Sequence, residues 1–356
     1  MYTTKTILSA PKLEHKPAHR RGALAIFFLL AVVTFCFWLV YASVSPNLPL
    51  ASDPPKLYSN QAQQDLRLTF ADAIRKAEKS IHLAMFGLSD PAILHALKCK
   101  KIPTTIYYDS NSSPNLYGIL PDAQLHPVRG YGLMHQKILI LDEETVFIGS
   151  ANMTTASLTM HDNLVIGFKN QKLARFLIEN TPRGPGYIRT MIGGQDIELW
   201  LLPDPRGHAI QDLRKKIRSA RQSIRIALFT FTHPQLIEEV IAAHQKGIHV
   251  SVVIDLHSGL GASKNAIEQL KHAGVRVLMS QGIQLLHHKF ILIDDHTLMT
   301  GSANWTKAAM YKNSDCFVCL HTLDESQKQF MNRLWNRIES EAKLLKTPSA
   351  KKPHPL

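Results

Sequence analysis

Acidic residues are outnumbered in this chain and cysteines are few. Asp and Glu together number 28 against 41 Lys and Arg, a formal charge of +13 with histidine neutral. Part of the excess sits at the ends. Lys5, Lys12, Lys16, Arg20 and Arg21 face only Glu14, and Lys343, Lys346, Lys351 and Lys352 mark the other terminus. The remaining surplus suits an anionic partner, phospholipid headgroup or nucleic acid alike. Arginine clusters interleaved with aromatics are missing, as is any recognised DNA-binding motif, which argues against direct reading of bases. Of the four cysteines, Cys36 falls in an apolar run and Cys99 ends an expected helix. Cys316 and Cys319 share the strand-like CFVCL, where residues three apart face opposite sides, so neither a disulfide nor a joint metal site is expected between them. No second cysteine pair completes a zinc pattern. All four read as packing residues, Cys99 being able to pair elsewhere in an oxidising compartment.

What the chain has in plenty is repetition. HQKILILDEETVFIGSAN, His135–Asn152, and HHKFILIDDHTLMTGSAN, His287–Asn304, carry one pattern twice: His-x-Lys, four residues, Asp, six residues, Gly-Ser-Ala-Asn. His135, Lys137, Asp142, Gly149, Ser150 and Asn152 map onto His287, Lys289, Asp294, Gly301, Ser302 and Asn304 at one constant offset. ILIL, VFIG, FILI and LMTG are short apolar runs bounded by acidic or glycine positions, so each copy predicts two buried strands joined by a tight turn. Residues i and i+2 on a strand share a face, which groups His135 with Lys137 and His287 with Lys289. Asn152 and Asn304 follow in the Gly-Ser turn. An imidazole, an ammonium and a carboxamide converging on one point suit a phosphate diester, offering a nucleophile or acid and donors for the non-bridging oxygens. One half supplies one such histidine, so the chemistry needs both.

At these residues the chain resembles the phospholipase D superfamily, whose signature is this His-Lys-Asp motif, normally present twice. The resemblance spans roughly residues 60–340 and implies two α/β halves about a pseudo-twofold axis, with the site at their interface. It also implies catalysis through a phosphohistidine, without metal or other cofactor. Thr154 and Thr306 extend the likeness, since GSANxT is common in the family's bacterial endonucleases and in several small phospholipase-D-like proteins. By resemblance His135 is expected as nucleophile and His287 as general acid, then as base toward water or an alcohol. Two identical histidines can take unlike roles because they titrate as a coupled pair. Lys137, Lys289, Asn152 and Asn304 would hold the phosphoryl oxygens, with Ser150 and Ser302 adding contacts. The family also places an acidic residue after each GSxN to orient a histidine. Asp315 fits in the second half. In the first, the constant offset lands on Asn163 and Asp162 fits after a slip of one residue, so either Asp162 serves or the halves are asymmetric. Asp142 and Asp294 belong to the catalytic motif, although their place at the strand-turn junction favours binding backbone or lysine donors over proton transfer.

The rest of the chain repeats more loosely. IRKAEKSIHLAMFGLSDP, Ile74–Pro91, echoes IRSARQSIRIALFTFTHP, Ile217–Pro234. Leu66, Phe70, Ile74 and Ala77, like Ile210, Leu213, Ile217 and Ala220, follow helical spacing before each first strand. PAILHALKC and PQLIEEVIAAHQKG read as crossover helices. Helix, strand, helix, strand and a two-strand motif make an α/β unit, present twice. A chain of 356 residues, 45% apolar, can bury two cores of ordinary size or one fused core. The expected order is a basic cytoplasmic N-terminus (1–21), a transmembrane signal anchor (22–43), a Pro-rich linker (44–60), two pseudo-twofold-related α/β sandwich halves (61–195 and 196–342) and a basic tail (343–356).

The anchor rests on Gly22–Ala42, an uncharged stretch of about 20 residues, enough to cross a bilayer as a helix. Trp38 and Tyr41 lie near its distal end, as interfacial aromatics do. Its basic flank predicts a cytoplasmic N-terminus and a catalytic region in the periplasm, exterior or lumen. Signal-peptide cores run about 7–15 residues, so a retained anchor is expected over a cleaved peptide. Pro46, Pro49, Pro54 and Pro55 then form a semi-rigid spacer at about 3.1 Å per residue, letting the domain bend back to the same membrane.

His288, on the opposite strand face from His287, and the scattered His161, His233, His257 and His321 read as structural. Asp109–Ser113 and Asp255–Gly261 follow strands at their carboxyl ends, where α/β folds place ligand loops. Gly259 and Gly261 would let the second loop move, and ordinary turn chemistry explains them equally. The expected function is a phospholipase-D-type phosphodiesterase that hydrolyses or transfers phospholipid headgroups, one chain sufficing because it holds both motifs. The alternative is a metal-independent nuclease of the same fold, acting on DNA or RNA. A cardiolipin-synthase-like transferase and a binding scaffold with a decayed site rank below.

Overall fold

The computed structural model describes residues 18–44, 46–130, 132–182, 184–282 and 284–344. The expected basic N-terminus and tail lie mostly outside these residues. The chain divides into two units, Met1–Pro46 and Asn47–Leu356. The first contains α1 (Ala18–Val44), which takes in the uncharged run Gly22–Ala42 after a basic start, with large side chains from Ile26 to Leu39 exposed. Among the described residues no helix is long and apolar enough to cross a membrane. The span expected over 22–43 reaches, at both ends, positions whose side chains fall outside the described set.

In the second unit the chain runs β1 (Lys56–Tyr58), α2 (Leu66–Lys76), β2 (Ile81–Met85), α3 (Pro91–Lys98), β3 (Thr104–Asp109), β4 (Gln124–Val128), β5 (Lys137–Leu141), β6 (Thr145–Gly149), α4 (Thr155–Thr159), β7 (Val165–Lys169) and α5 (Gln171–Asn180). A hairpin follows, β8 (Gly186–Ile192) and β9 (Gln195–Leu201). The pattern then returns as α6 (His208–Arg218), β10 (Ser223–Leu228), α7 (Pro234–Gln245), β11 (His249–Ile254), α8 (Leu256–Leu260), α9 (Lys264–His272), β12 (Arg276–Ser280), β13 (Lys289–Ile293), β14 (Thr297–Gly301), α10 (Lys307–Tyr311) and β15 (Cys316–Leu320), closed by α11 (Glu325–Ser340) and β16 (Ala342–Leu344).

The strands form two mixed sheets, ordered β1-β7-β6-β5-β2-β3-β4 and β16-β12-β11-β10-β13-β14-β15-β9-β8. The run β7-β6-β5-β2-β3-β4 recurs as β15-β14-β13-β10-β11-β12, which is the twofold repetition read in the sequence. β2 pairs parallel with β3 through the crossover helix α3, and β10 with β11 through α7. Each His-Lys-Asp motif opens a hairpin, β5–β6 or β13–β14. Its turn places Asp142 and Glu143, or Asp294 and Asp295, at positive φ. Such primed turns match the twist of the strands, and Asp tolerates the conformation better than most residues.

Strand alternation divides the apolar residues between layers. Ile138 and Ile140 of β5, with Phe290 and Leu292 of β13, meet in a core between the two sheets that also takes in α5 and α11. Leu139 and Leu141 face α2 and α3 in an outer layer, and Ile291 and Ile293 face α6, α7 and α9 in the other. The two halves thus share one central core. Three boundaries move. β1, inside the expected linker, pairs with β7. β8 precedes the expected division at 195/196 yet pairs with β9 in the second sheet. β16 reaches into the expected tail and pairs with β12.

Candidate active site

Each motif histidine is tied to the opposite half. His135 lies just before β5, and its N–H donates to the Ser314 carbonyl at 2.8 Å; the His287 N–H donates to the Asp162 carbonyl at 2.9 Å. Short parallel bridges, Met134 with Ser314 and Asp162 with Leu286, clamp these crossings. The ring contacts cross as well. His135 Nδ1 lies 2.8 Å from Asp315 Oδ1, and His287 Nδ1 lies 3.0 Å from Asn163 Oδ1. Both partners accept, so each ring carries its proton on Nδ1 and keeps Nε2 free for substrate.

This corrects the expected orienting set. Asp315, expected for the second half, serves the histidine of the first. Asp162 is not a partner of either imidazole; Asn163 holds that place. The reason is strand parity: a slip of one residue turns the side chain to the other face. The Asp162 carboxyl is instead pushed up to about 7 by burial and by Glu341. The halves are therefore asymmetric, one imidazole backed by a carboxylate and the other by a neutral amide.

Ser150 and Ser302, expected on the phosphate, hold the orienting groups. Ser302 Oγ donates to Asp315 Oδ1 at 2.7 Å and accepts from the Cys316 N–H at 3.0 Å. Ser150 Oγ donates to Asn163 Oδ1 at 2.8 Å and accepts from the Leu164 N–H at 3.1 Å. Asn163 Nδ2 donates to the Ser157 carbonyl at 2.8 Å, which fixes its Oδ1 toward His287. The glycines before these serines permit the close approach, since a Cβ at Gly149 or Gly301 would meet the Leu164 or Cys316 carbonyl at 2.3 Å.

Asp142 and Asp294 stand apart from the chemistry. Asp142 accepts from the N–H groups of Glu78, Lys79 and Ser80, and Asp294 from those of Arg221, Gln222 and Ser223. Burial opposes their ionisation, but these donors outweigh it and hold both carboxyls below the usual range. Each fastens its hairpin to the start of β2 or β10. Thr154 and Thr306 likewise cap α4 and α10.

Lys137 and Lys289 are buried to 3% and 2% exposure beside the histidines. Their Nζ atoms donate to the His135 and His287 carbonyls at 2.6 and 2.7 Å. They lie 4.9 and 5.2 Å from the ring centres of Phe86 and Phe229, whose rings also pack against His135 and His287. Burial pulls Lys137 down to about 7, against the pull of Asp315. Lys289 is likewise held well below the usual range, by burial and repulsion from Lys137. His135 is lowered by burial and Lys137, with Asp315 opposing; His287 is lowered strongly by burial, both lysines, His135 and His161. Burial works against the charge of Asp315, but His135, Lys137 and the Ser302 hydroxyl keep it ionised. Four buried basic groups gather here with Asp315 hydrogen-bonded among them and Asp109 and Asp255 acting from farther off, and burial still holds all four below their usual range. Asn152 and Asn304 each keep a buried Oδ1 with no partner among the described residues; turned over, each carboxamide offers N–H to an anion.

The phenylalanines were the part of this site that the motif did not announce, whereas Asn163 and an asymmetry of the halves stood as the alternative to Asp162. The signals were present: Phe86 and Phe229 occupy matching places in AMFG and ALFT, and Asn163 is the residue to which the constant offset leads from Asp315. The loops at the strand ends are anchored, Asp109 accepting from Asn111 and Ser112, and Asp255 from His257, Ser258 and Leu286. Gly259 packs against Met279, where a Cβ would approach Sδ at 2.5 Å, so contact explains it better than motion.

The family model described as "Cardiolipin synthase, PLD-like domain" matches residues 111–181 and 213–338, more than half of the chain. The human protein named mitochondrial cardiolipin hydrolase is 35% identical over 139 residues, 38% of this chain and 54% of that one. A Rickettsia conorii protein named phospholipase D is 29% identical over 118 residues, 31% of this chain and 59% of that one. The chain spans about half the length of the curated relatives it matches. The crystal structure of phosphatidylserine synthase from Haemophilus influenzae aligns over 84% of this chain and 90% of that one, with a TM-score of 0.66 at 14% identity. It shares the fold.

Proposed function

We propose, from the premise that this chain belongs to the phospholipase-D-like family described as "Cardiolipin synthase, PLD-like domain", that it is a phosphodiesterase acting on phospholipids. The observation that carries this is the crossed pair of buried histidines, each oriented from the opposite half and surrounded by basic groups. A diester monoanion brings negative charge to these groups, and its non-bridging oxygens would meet Lys137, Lys289, Asn152 and Asn304. His135 is the better nucleophile: when Nε2 attacks phosphorus the ring becomes a phosphoimidazolium cation, and ionised Asp315 at 2.8 Å stabilises that charge. His287 has only neutral Asn163 behind it, so its cation is the stronger acid. It would protonate the leaving oxygen and then, neutral again, take the proton of the incoming water or alcohol. The names of the relatives, cardiolipin hydrolase and phospholipase D, favour a lipid over a nucleic acid.

Residues 22–43 would serve as the anchor, with the N-terminus cytoplasmic and the catalytic unit on the other side. Support comes from the uncharged sequence Gly22–Ala42, its basic flank and the exposed apolar side chains of α1.

The test is to incubate the full chain, with chelator present, against cardiolipin and phosphatidylcholine vesicles and against single- and double-stranded nucleic acid. Headgroup or phosphatidyl release without strand cleavage is expected, with an acid-labile phosphoenzyme absent in His135→Ala. Strand cleavage without lipid turnover would replace this substrate, and full activity in both His135→Ala and His287→Ala would remove the mechanism.

A further inference from the structure

Away from the histidine pair, β9 and β15 bring three metal-binding side chains to one point. The antiparallel register sets Glu198 directly opposite Cys319. His321 lies two residues beyond Cys319, and the His321 N–H continues the pairing to the Asp196 carbonyl at 3.0 Å. Residues i and i+2 share a strand face, so all three project together. His321 Nε2 is 3.1 Å from Glu198 Oε1 and 3.5 Å from Cys319 Sγ, and one ligand atom from each residue lies within 4.8 Å of the others.

Zinc bonds of about 2.3 Å to sulfur and 2.0–2.2 Å to nitrogen and oxygen, arranged tetrahedrally, separate S from N by about 3.5 Å and N from O by about 3.4 Å. The observed gaps are close to these. A proton on Nε2 given to Glu198 leaves the thiol, 3.5 Å from the same nitrogen, with packing as its role. A divalent ion at the centre would engage all three.

We propose that Glu198, Cys319 and His321 form a binding site for a thiophilic divalent cation of the zinc type. The surroundings can carry it. Lys216 Nζ binds the other Glu198 oxygen, Oε2, at 2.7 Å and Asp212 at 2.9 Å, leaving Oε1 for the ion. Arg189 approaches Oε1 at 3.7 Å but is held by Asp196. Cys319 is fully buried and Glu198 5% exposed, while the His321 side chain is 23% exposed and gives the ion and a fourth ligand, water, their way in. Binding expels the Cys319 thiol proton and leaves the His321 proton on Nδ1, with the Nε2 lone pair on the metal. The ion would pin the β8–β9 hairpin to β15. Cys319 is four positions along from Asp315, about 13 Å at strand spacing, so the role is structural.

The test uses the purified full chain, stripped with chelator and titrated with Co²⁺, then with Zn²⁺ in competition. The expected result is one equivalent bound with a thiolate-to-cobalt charge-transfer band, and a rise in melting temperature. The band should vanish in Cys319→Ser and persist in Cys316→Ser. Affinity should fall at least tenfold in His321→Ala, which alters a partly exposed side chain and so keeps the test open if Cys319→Ser fails to fold. Absence of the band in the wild-type chain, or wild-type affinity in His321→Ala, overturns the site. Neither readout depends on phosphodiesterase activity.

Discussion

Asn163 and Asp315 occupy equivalent places behind the two histidines, and only one of them is charged. Exchanging that difference is the sharpest probe of the proposed roles. In Asn163→Asp a carboxylate at hydrogen-bond distance favours the imidazolium, so the His287 pKa rises, by about 1 unit or more. The limb of the kcat/KM profile on which His287 loses its proton should move to higher pH by that amount. An unmoved profile would sink the assignment of His287 as acid. Lys137 gives a second prediction. Burial sets it near 7, so in the empty site it is charged below that pH and neutral above. Tungstate or vanadate binding, followed by calorimetry, should weaken as pH rises past about 7, with proton uptake on the alkaline side, and Lys137→Met should lose that dependence. At this scale the sequence was legible wherever the residue pattern was strict. The motif histidines and lysines come close enough to shift one another's ionisation because the register is constant. Asp162 misled because a carboxylate suited the chemistry, whereas the face a side chain takes on a strand is decided by parity, which chose Asn163.

The hairpins set where those side chains point, and the motif aspartates set the hairpins. Asp142 satisfies three backbone N–H groups at the start of β2. Its removal leaves donors unpaired in a half-buried place, and Asp142→Ala should cost about 1–3 kcal/mol. The expected signature is a lower urea midpoint with kcat retained well below the transition; a variant stable but inactive would return Asp142 to the catalytic group. The pH sign follows from the depressed carboxyl pKa values of Asp142 and Asp294. Their contribution is present above the unfolded value, near 4, and is lost as pH falls through the lower folded value. The repeated elements could be read from periodicity and from each other. The unrepeated ones could not. β1 is three residues long beside prolines, which sit readily at a strand's edge, and the β8–β9 hairpin has no counterpart in the first half to reveal its partner.

The whole molecule answers a question the sequence left open, whether two cores or one. Ile138 and Ile140 pack in the same cluster as Phe290 and Leu292, and Trp335 of α11 joins them, with its ring 6.4 Å from that of Phe290. Neither sheet can keep its inner face dry alone, and each half also carries the group that orients the other's histidine. Folding of the second unit should therefore be one cooperative event. Phe290 is 1% exposed at the centre of the shared layer, and Phe290→Ala should cost about 3–5 kcal/mol. Calorimetry should then show one transition displaced to lower temperature, and cysteine accessibility at buried Cys316, beside Asp315, should rise in step with loss of the first half's tertiary signal. Two separable transitions, with the first half melting unchanged, would mean that the sheets fold independently and that the crossed histidine contacts are made only after both are complete.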